Sequence, residues 1–242
     1  MDFRRLSAVP GWFRPTDQHV FSWILGFQNR KNWEGTLLEL GTYLGKSAIL
    51  LGEFLKDAEK IVVCDLFDEL ATADDISEKD RFDYRGLSQK KFEDNYLQFH
   101  SQLPEIIRDF SSKIGEVLPN NTCRFVHIDG SHEYEHVSVD AGSAKNLLSQ
   151  IGVVAFDDYR NPRTPGVAAT VWKNVFDSGL QPICSTKSKF YGTWGGEADA
   201  YKADIFTQLA RTNGATCETQ TVYEGLEIIH ILDIGSSPSL SI

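Results

Sequence analysis

Short apolar runs that end in acidic residues recur along this chain, and amphipathic stretches separate them. Thr36-Leu37-Leu38-Glu39-Leu40, Ile61-Val62-Val63-Cys64, Phe125-Val126-His127-Ile128 and Val153-Val154-Ala155-Phe156 are the clearest runs. Asp65, Asp129 and the pair Asp157-Asp158 follow directly after the last three. A continuous apolar run of this length predicts a strand covered on both faces, the habit of parallel sheets. Helical spacing fills much of the remainder. A helix capped by Thr16 or Asp17 is expected to reach about Arg30, with Val20, Phe21, Ile24, Leu25 and Phe27 as its apolar stripe. Further helices are expected from Lys46 through Leu51, Leu87 to Phe99, Val167 to Phe176 and about Glu197 to Arg211, with one more between the runs at 125 and 153. Weaker strand signals lie at Glu105–Phe110, followed by a helix from Ser111 through Val117, and from Pro182-Ile183-Cys184 on to Phe190, Tyr191 and Trp194. A last strand signal lies at Thr219–Leu232.

Strands alternating with helices predict an α/β domain. The expected fold is one Rossmann-like, doubly wound, mostly parallel seven-stranded sheet with helices on both faces. Residues 1–35 read as an N-terminal arm and helix, 36–235 as the main domain and 236–242 as a loose tail. No internal repeat or interdomain linker is evident.

The acids at the strand ends change this picture from architecture to chemistry. Parallel strands open their carboxyl ends on one edge of the sheet, so Asp129, Asp157 and Asp158 are expected to meet at one rim. Three carboxylates crowd together at high cost unless a positive charge sits among them, and a divalent metal ion is the expected charge. His132 stands three residues after Asp129, within reach of that rim, or else facing solvent at a helix start. His127 and His136 read as structural. Earlier in the chain, Gly41-Thr42-Tyr43-Leu44-Gly45 joins a strand to a helix, where backbone N–H groups can face an anionic or polar ligand. Gly41 and Gly45 would allow close backbone approach, although Tyr43 stands where a GxGxG loop has its middle glycine. Asp65, twenty residues beyond Gly45, lies where nucleotide-binding α/β folds place a carboxylate on a ribose diol. Ser111 and Ser112 would lie beside the glycine loop near an adenine edge, and helix capping explains them equally well.

Composition narrows the class. The chain has 242 residues, 41% of them apolar, enough for one large core. A net charge of −10 argues against a broad nucleic-acid surface. Cys64, Cys123, Cys184 and Cys217 show no CxxC spacing, so neither a zinc knuckle nor a dense disulfide framework is expected. No signal peptide or membrane span is evident, and a soluble cytoplasmic protein is expected. Residues 68–83 hold seven acidic residues against Lys79 and Arg81 and read as a solvated loop or a mobile cover over the site.

Glu39-Leu40-Gly41-Thr42-Tyr43-Leu44-Gly45-Lys46-Ser47-Ala48 resembles the first motif of class I S-adenosylmethionine-dependent methyltransferases. It is most similar to the catechol O-methyltransferase type of loop, where an aromatic residue also replaces the middle glycine. Phe125 through Asp158, on to Pro165-Gly166-Val167, resembles the macrocin and mycinamicin sugar O-methyltransferases of antibiotic pathways. The resemblance implies that Glu39, Gly41 and Tyr43 line the methionine part of S-adenosylmethionine, with Gly45 in the same loop and Ser47 at the carboxylate. It implies that Asp65 takes the ribose hydroxyls and that Ser111 and Ser112 lie near the adenine. Asp129, Asp157 and Asp158 would hold a magnesium-like ion, with Asp129 bordering the cofactor as well. Relatives often carry Asn at the last of these positions, so Asp158 adds negative charge. His132 falls at the position of the general base, which must be neutral to act, and a nearby cation disfavours imidazolium. The implied activity is methylation of a hydroxyl on a small molecule, a sugar or glycosylated natural product, with a homo-oligomer formed through the N-terminal helix. Three other readings stay open. One is a catechol or phenol acceptor in a slot built with Trp12, Trp33, Trp172 or Trp194. The others are a nicotinamide dinucleotide oxidoreductase, and a binding protein that keeps the cofactor fold without catalysis.

Overall fold

The computed structural model describes residues 3–67 and 87–235. The acidic stretch 68–83 and the tail therefore lie outside the described residues. Helix α1 (Phe3–Ser7) and helix α2 (Pro15–Arg30) precede strand β1 (Thr36–Leu40), helix α3 (Lys46–Gly52) and strand β2 (Ile61–Cys64). Helix α4 (Gln89–Tyr96), strand β3 (Glu105–Ile107), helix α5 (Ile114–Val117) and strand β4 (Cys123–Ile128) follow. Helix α6 (Tyr134–Leu147) leads into β5 (Leu148–Phe156), then α7 (Pro165–Asp177), β6 (Gln181–Ser185), β7 (Phe190–Thr193) and α8 (Ala198–Arg211). Strands β8 (Thr216–Tyr223) and β9 (Leu226–Asp233) close the described chain.

One sheet orders these strands β3-β2-β1-β4-β5-β7-β6-β9-β8. It is doubly wound and mixed, and its nine strands correct the expectation of seven. The five strands from β3 to β5 are parallel throughout. β7 runs antiparallel between β5 and β6, and β8 antiparallel to β9. The two additional strands were hidden for physical reasons. β6 and β7 form a hairpin inside what reads as one indistinct apolar region. β8, with the sequence TCETQTVY, is exposed along nearly its whole length at the sheet edge, so it shows no apolar run. Gly225, with φ near 78°, turns it into β9.

The central strands are buried on both faces because alternate residues feed two different cores. Leu37, Phe125, Val153 and Ala155 join one core with α2, α3, α4 and α8. Leu38, Leu40, Val126, Val154 and Phe156 join the other with α5, α6 and α7. Each such side chain contributes roughly 1.5–3 kcal/mol relative to exposure. The apolar stripe of α2 packs into the first core, with Val20, Phe21, Ile24, Leu25 and Phe27 all buried. Neither Thr16 nor Asp17 caps this helix. Arg14 is its N-cap and Pro15 its first residue, whose missing N–H costs nothing there. Asp17 is instead fully buried. The predicted helix at Ser111 is a single 3-10 turn over Ser111–Lys113 before α5 begins.

Candidate active site

Register brings the candidate site together. Leu40 pairs with Cys64 on one side and Ile128 on the other, and Ile128 pairs with Phe156. The residues after them therefore leave the sheet at one level: Gly41, Asp65, Asp129 and Asp157. Gly41 has φ near 79°, and a Cβ on it would lie 2.4 Å from the Asp129 carbonyl oxygen. A glycine is thus required where the first loop passes against the rim. At Gly45, φ is near 89° and a Cβ would meet the Phe92 ring at 2.8 Å.

Asp65 organises the glycine loop. Its Oδ2 accepts from the backbone N–H of Thr42 at 2.7 Å and of Tyr43 at 3.0 Å, and its Oδ1 accepts from Phe67 N–H at 2.8 Å. Two of the loop N–H groups expected to face a ligand are therefore held by Asp65. A carboxylate oxygen has two lone pairs, so Oδ1 keeps one acceptor position. Tyr43 sits in the left-handed region at φ near 50°, with the exposed Trp12 ring 5.2 Å from its own. Ser47 is buried in the first turn of α3. Of the other tryptophans, Trp33 packs on Phe27 and Tyr201, and Trp172 on Tyr159, Phe176 and Phe190.

Ser111 and Ser112 stand after β3 as expected, and α6 brings Asp140 against them. Asp140 is buried, its carboxyl pushed up to about 6 by burial, with the Ser111 hydroxyl drawing it back somewhat. That hydroxyl does not close a hydrogen bond, and both Asp140 oxygens lack a partner.

The acid rim is the most charged part of the site. Asp129 Oδ1 and Asp157 Oδ2 each lie 4.0 Å from His132 Nε2, and Asp158 Oδ2 lies 3.8 Å from it. His132 Nε2 is itself buried with no hydrogen-bond partner. Asp158 has φ near 54°, and its Oδ2 accepts from Asn161 Nδ2 at 2.8 Å. Among the described residues, Asp129, His132 and Asp157 form the one group whose donor atoms lie close enough together to share a metal ion. His136 bonds Ser131 Oγ through Nδ1 at 2.9 Å, on the outside of the rim.

A positive charge that sequence reasoning missed lies behind these acids. Lys189 Nζ is buried 2.5 Å from Asp157 Oδ1, 2.8 Å from His127 Nε2 and 3.6 Å from Asp129 Oδ2. His127 in turn bonds Glu39 Oε1 through Nδ1 at 2.7 Å, and Glu39 Oε2 accepts from Thr42 Oγ1 at 2.7 Å. Burial and the neighbouring ammonium hold His127 below its ordinary range. A neutral ring accepts from Lys189 at Nε2 and donates Nδ1–H to Glu39. Glu39, fully buried with both oxygens engaged, thus links the glycine loop to the rim. Burial and the charge of Asp157 push Asp129 up. Asp157 is also penalised by burial, but Lys189 and a hydrogen bond from Asp129 outweigh this and hold it low. For Lys189, burial opposes the charge, and Asp129, Asp157 and Asp17 more than offset it. Lysine in a short turn next to Ser188 gives no sequence signal of burial.

These residues fit a divalent ion. An orphaned imidazole nitrogen faces three carboxylate oxygens, a donor set suited to a hard or intermediate cation.

The methyltransferase-domain family matches residues 38–159, a span that contains the glycine loop, Asp65 and the whole rim. The chain belongs to this methyltransferase family. No curated protein matches the chain. Among solved structures, the O-methyltransferase NovP shares 17% identity at a TM-score of 0.57, over 74% of this chain and 81% of its own. CalS11, described as a TDP-rhamnose 3'-O-methyltransferase of calicheamicin biosynthesis, shares 15% at 0.51, over 80% and 91%. An O-methyltransferase from Bacillus cereus in complex with SAH shares 16% at 0.50, over 79% and 88%. At these identities the likeness is one of fold. No helix among the described residues is long and apolar enough to cross a membrane.

Proposed function

We propose that this methyltransferase transfers a methyl group from S-adenosylmethionine to a hydroxyl of a small molecule, a sugar or glycosylated natural product, with a divalent ion at the acid rim. The single observation that carries the reading is the orphaned His132 Nε2 facing Asp129, Asp157 and Asp158, next to the glycine loop. The family match supports methyl transfer, and the fold shared with CalS11 supports the sugar acceptor.

S-adenosylmethionine supplies an electrophilic methyl group. Gly41, Tyr43, Gly45 and Ser47 would line its methionine part, with Glu39 acting from behind through Thr42. Asp65 would meet the ribose with its remaining Oδ1 acceptor position, and Ser111 and Ser112 the adenine. Asp129, Asp157 and Asp158 would hold the ion, which when bound stabilises a developing alkoxide and orients neighbouring hydroxyls. His132 would take the acceptor proton at Nε2. In-line displacement needs the acceptor oxygen opposite the sulfur, so the work of the chain is positioning. A second reading of His132, as a ligand to the ion, is favoured by its place in the donor group with Asp129 and Asp157. The homo-oligomer and the cytoplasmic location remain part of this proposal.

The test is transfer of labelled methyl from S-adenosylmethionine to panels of sugars, sugar nucleotides and catechols, with and without EDTA. Transfer to sugar acceptors, abolished by EDTA and restored by Mg2+, is expected. Transfer to catechols alone would move the acceptor to the phenol class. Full activity after rigorous chelation would remove the ion. Calorimetric titration separates the oxidoreductase reading, since S-adenosylhomocysteine is expected to bind and NADH is not.

A further inference from the structure

The acid rim is held from behind as well as in front. Lys189 enters the site from a short turn that α2 fixes in place. Asp17, fully buried in α2, accepts from Thr186 Oγ1 at 2.7 Å, from Ser188 Oγ at 2.5 Å and from Tyr191 OH at 2.9 Å. The backbone N–H of Lys189 donates to Thr186 Oγ1 at 2.9 Å, and its carbonyl accepts from Thr186 N–H at 2.8 Å. The ammonium is thereby delivered to one point between Asp157, His127 and Asp129. The Phe13 ring centroid lies 5.7 Å from Nζ and covers it from the side of the N-terminal arm.

We propose that Lys189 is the resident cation of the acid rim, a positioning residue that holds Asp157 and Asp129 by their inner oxygens and keeps their outer oxygens turned to the divalent-ion position. The inference rests on the metal reading above. Each of these carboxylates is divided in the same way. Asp157 gives Oδ1 to Lys189 and points Oδ2 at His132, and Asp129 turns Oδ2 toward Lys189 and Oδ1 toward His132. An ammonium carries three donors and no acceptor, so it can brace two acids and an imidazole together without competing for the front of the site. The charges are complementary as well. With the three rim acids ionised, the form in which they would bind a cation, one ammonium leaves two negative charges, the number that one divalent cation cancels. Without Lys189, Asp157 would lose its charge partner and stand beside Asp129 and Asp158 with nothing to balance it whenever the ion is away. Buried charges that lose a partner are strongly destabilising. Lys189 therefore keeps the ligand oxygens in place in the metal-free protein and lowers the cost of assembling the site.

The test follows thermal unfolding of the full chain, metal-free and at saturating Mn2+, together with calorimetric titration of Mn2+. Lys189→Met is expected to lower the metal-free Tm by about 10 °C. Mn2+ is expected to recover at least half of that loss, more than it adds to the wild type, because it stands in for the missing charge. Adding Asp158→Asn to Lys189→Met is expected to raise the metal-free Tm again by removing one of the crowded charges. A loss that Mn2+ leaves unchanged, in a variant whose wild-type parent binds Mn2+, would make Lys189 a packing residue only and overturn the inference alone. Absence of Mn2+ binding to the wild type would remove the metal reading and this inference with it. If Lys189→Met does not fold even with Mn2+, the double variant decides, and its failure to fold under both conditions also overturns the inference.

Discussion

Two buried charge clusters sit at opposite edges of the sheet, and their pairing differs. At the amino end of β4, Arg124 Nε and Nη2 bond the two oxygens of Glu59 at 2.7 and 2.8 Å. Arg124 Nη1 reaches Gln28 Oε1 at 2.8 Å, and Nη2 also reaches the Phe54 carbonyl at 2.8 Å. Glu59 accepts two backbone N–H groups as well, from Gly35 and Lys56. One charge meets one charge, and the bidentate geometry is complete. At the carboxyl end of the same strand, Asp129 and Asp157 share one lysine, Asp158 stands beside them, and an imidazole nitrogen has no hydrogen-bond partner. Removing one partner of the closed cluster leaves a buried charge alone, whereas the open cluster already carries groups without full pairing. Charge is thus buried with complete pairing at one end of a six-residue strand and with incomplete pairing just past the other.

The largest effect is expected at the closed cluster. Arg124→Met leaves Glu59 buried without its ion partner and should cost roughly 3–5 kcal/mol, read as a shift of the urea midpoint. Affinity for Mn2+ should not change, since the two clusters lie at opposite ends of β4. A cost under about 1 kcal/mol would mean that the two edges do not differ in this way.

At the open cluster the pattern should invert. His132→Ala removes a group with no hydrogen-bond partner on its buried nitrogen, so Tm should move by no more than about 2 °C. Turnover should fall by roughly 100- to 10,000-fold while S-adenosylhomocysteine affinity, measured by calorimetry, holds. Near-normal turnover would end the assignment of His132 to the chemistry.

Asp140 offers the smallest and most pH-dependent contrast, as a buried carboxyl whose oxygens accept no hydrogen bond. Its folded pKa, about 6, lies above the ordinary value of 3.8. The folded protein therefore keeps this proton where the unfolded chain has lost it, so Asp140 lowers stability as pH rises through that window. Asp140→Asn should stabilise the protein at pH 8 by up to roughly 2–3 kcal/mol, with the gain vanishing near pH 4. A pH-independent difference between variant and wild type would show that the charge is not what Asp140 costs.

The parts of the site that were legible in the sequence share one property: they are local. Asp129 and Asp157-Asp158 follow apolar runs directly, and the glycine loop follows another, so knowing that the strands are parallel is enough to place them at one rim. The sheet itself was legible where strands are buried on both faces, and not at β8, whose polar residues resemble a loop. Pairing within the site was not legible: Asp65 stands where expected and also gives two of its four acceptor positions to the glycine loop.

The order of strands and helices from β1 to β5, the acids at their carboxyl ends and the glycines that the crossing loops require can all be read along the chain. Those signals are carried by neighbouring residues and by backbone geometry. Which charges meet depends on how the elements pack. Lys189 reaches His127 across 62 positions and Asp157 across 32, and Asp17 reaches the turn before it across 169. No spacing rule predicts such pairs, because an ammonium between buried carboxylates is stable only once every element that removes water from it is already packed.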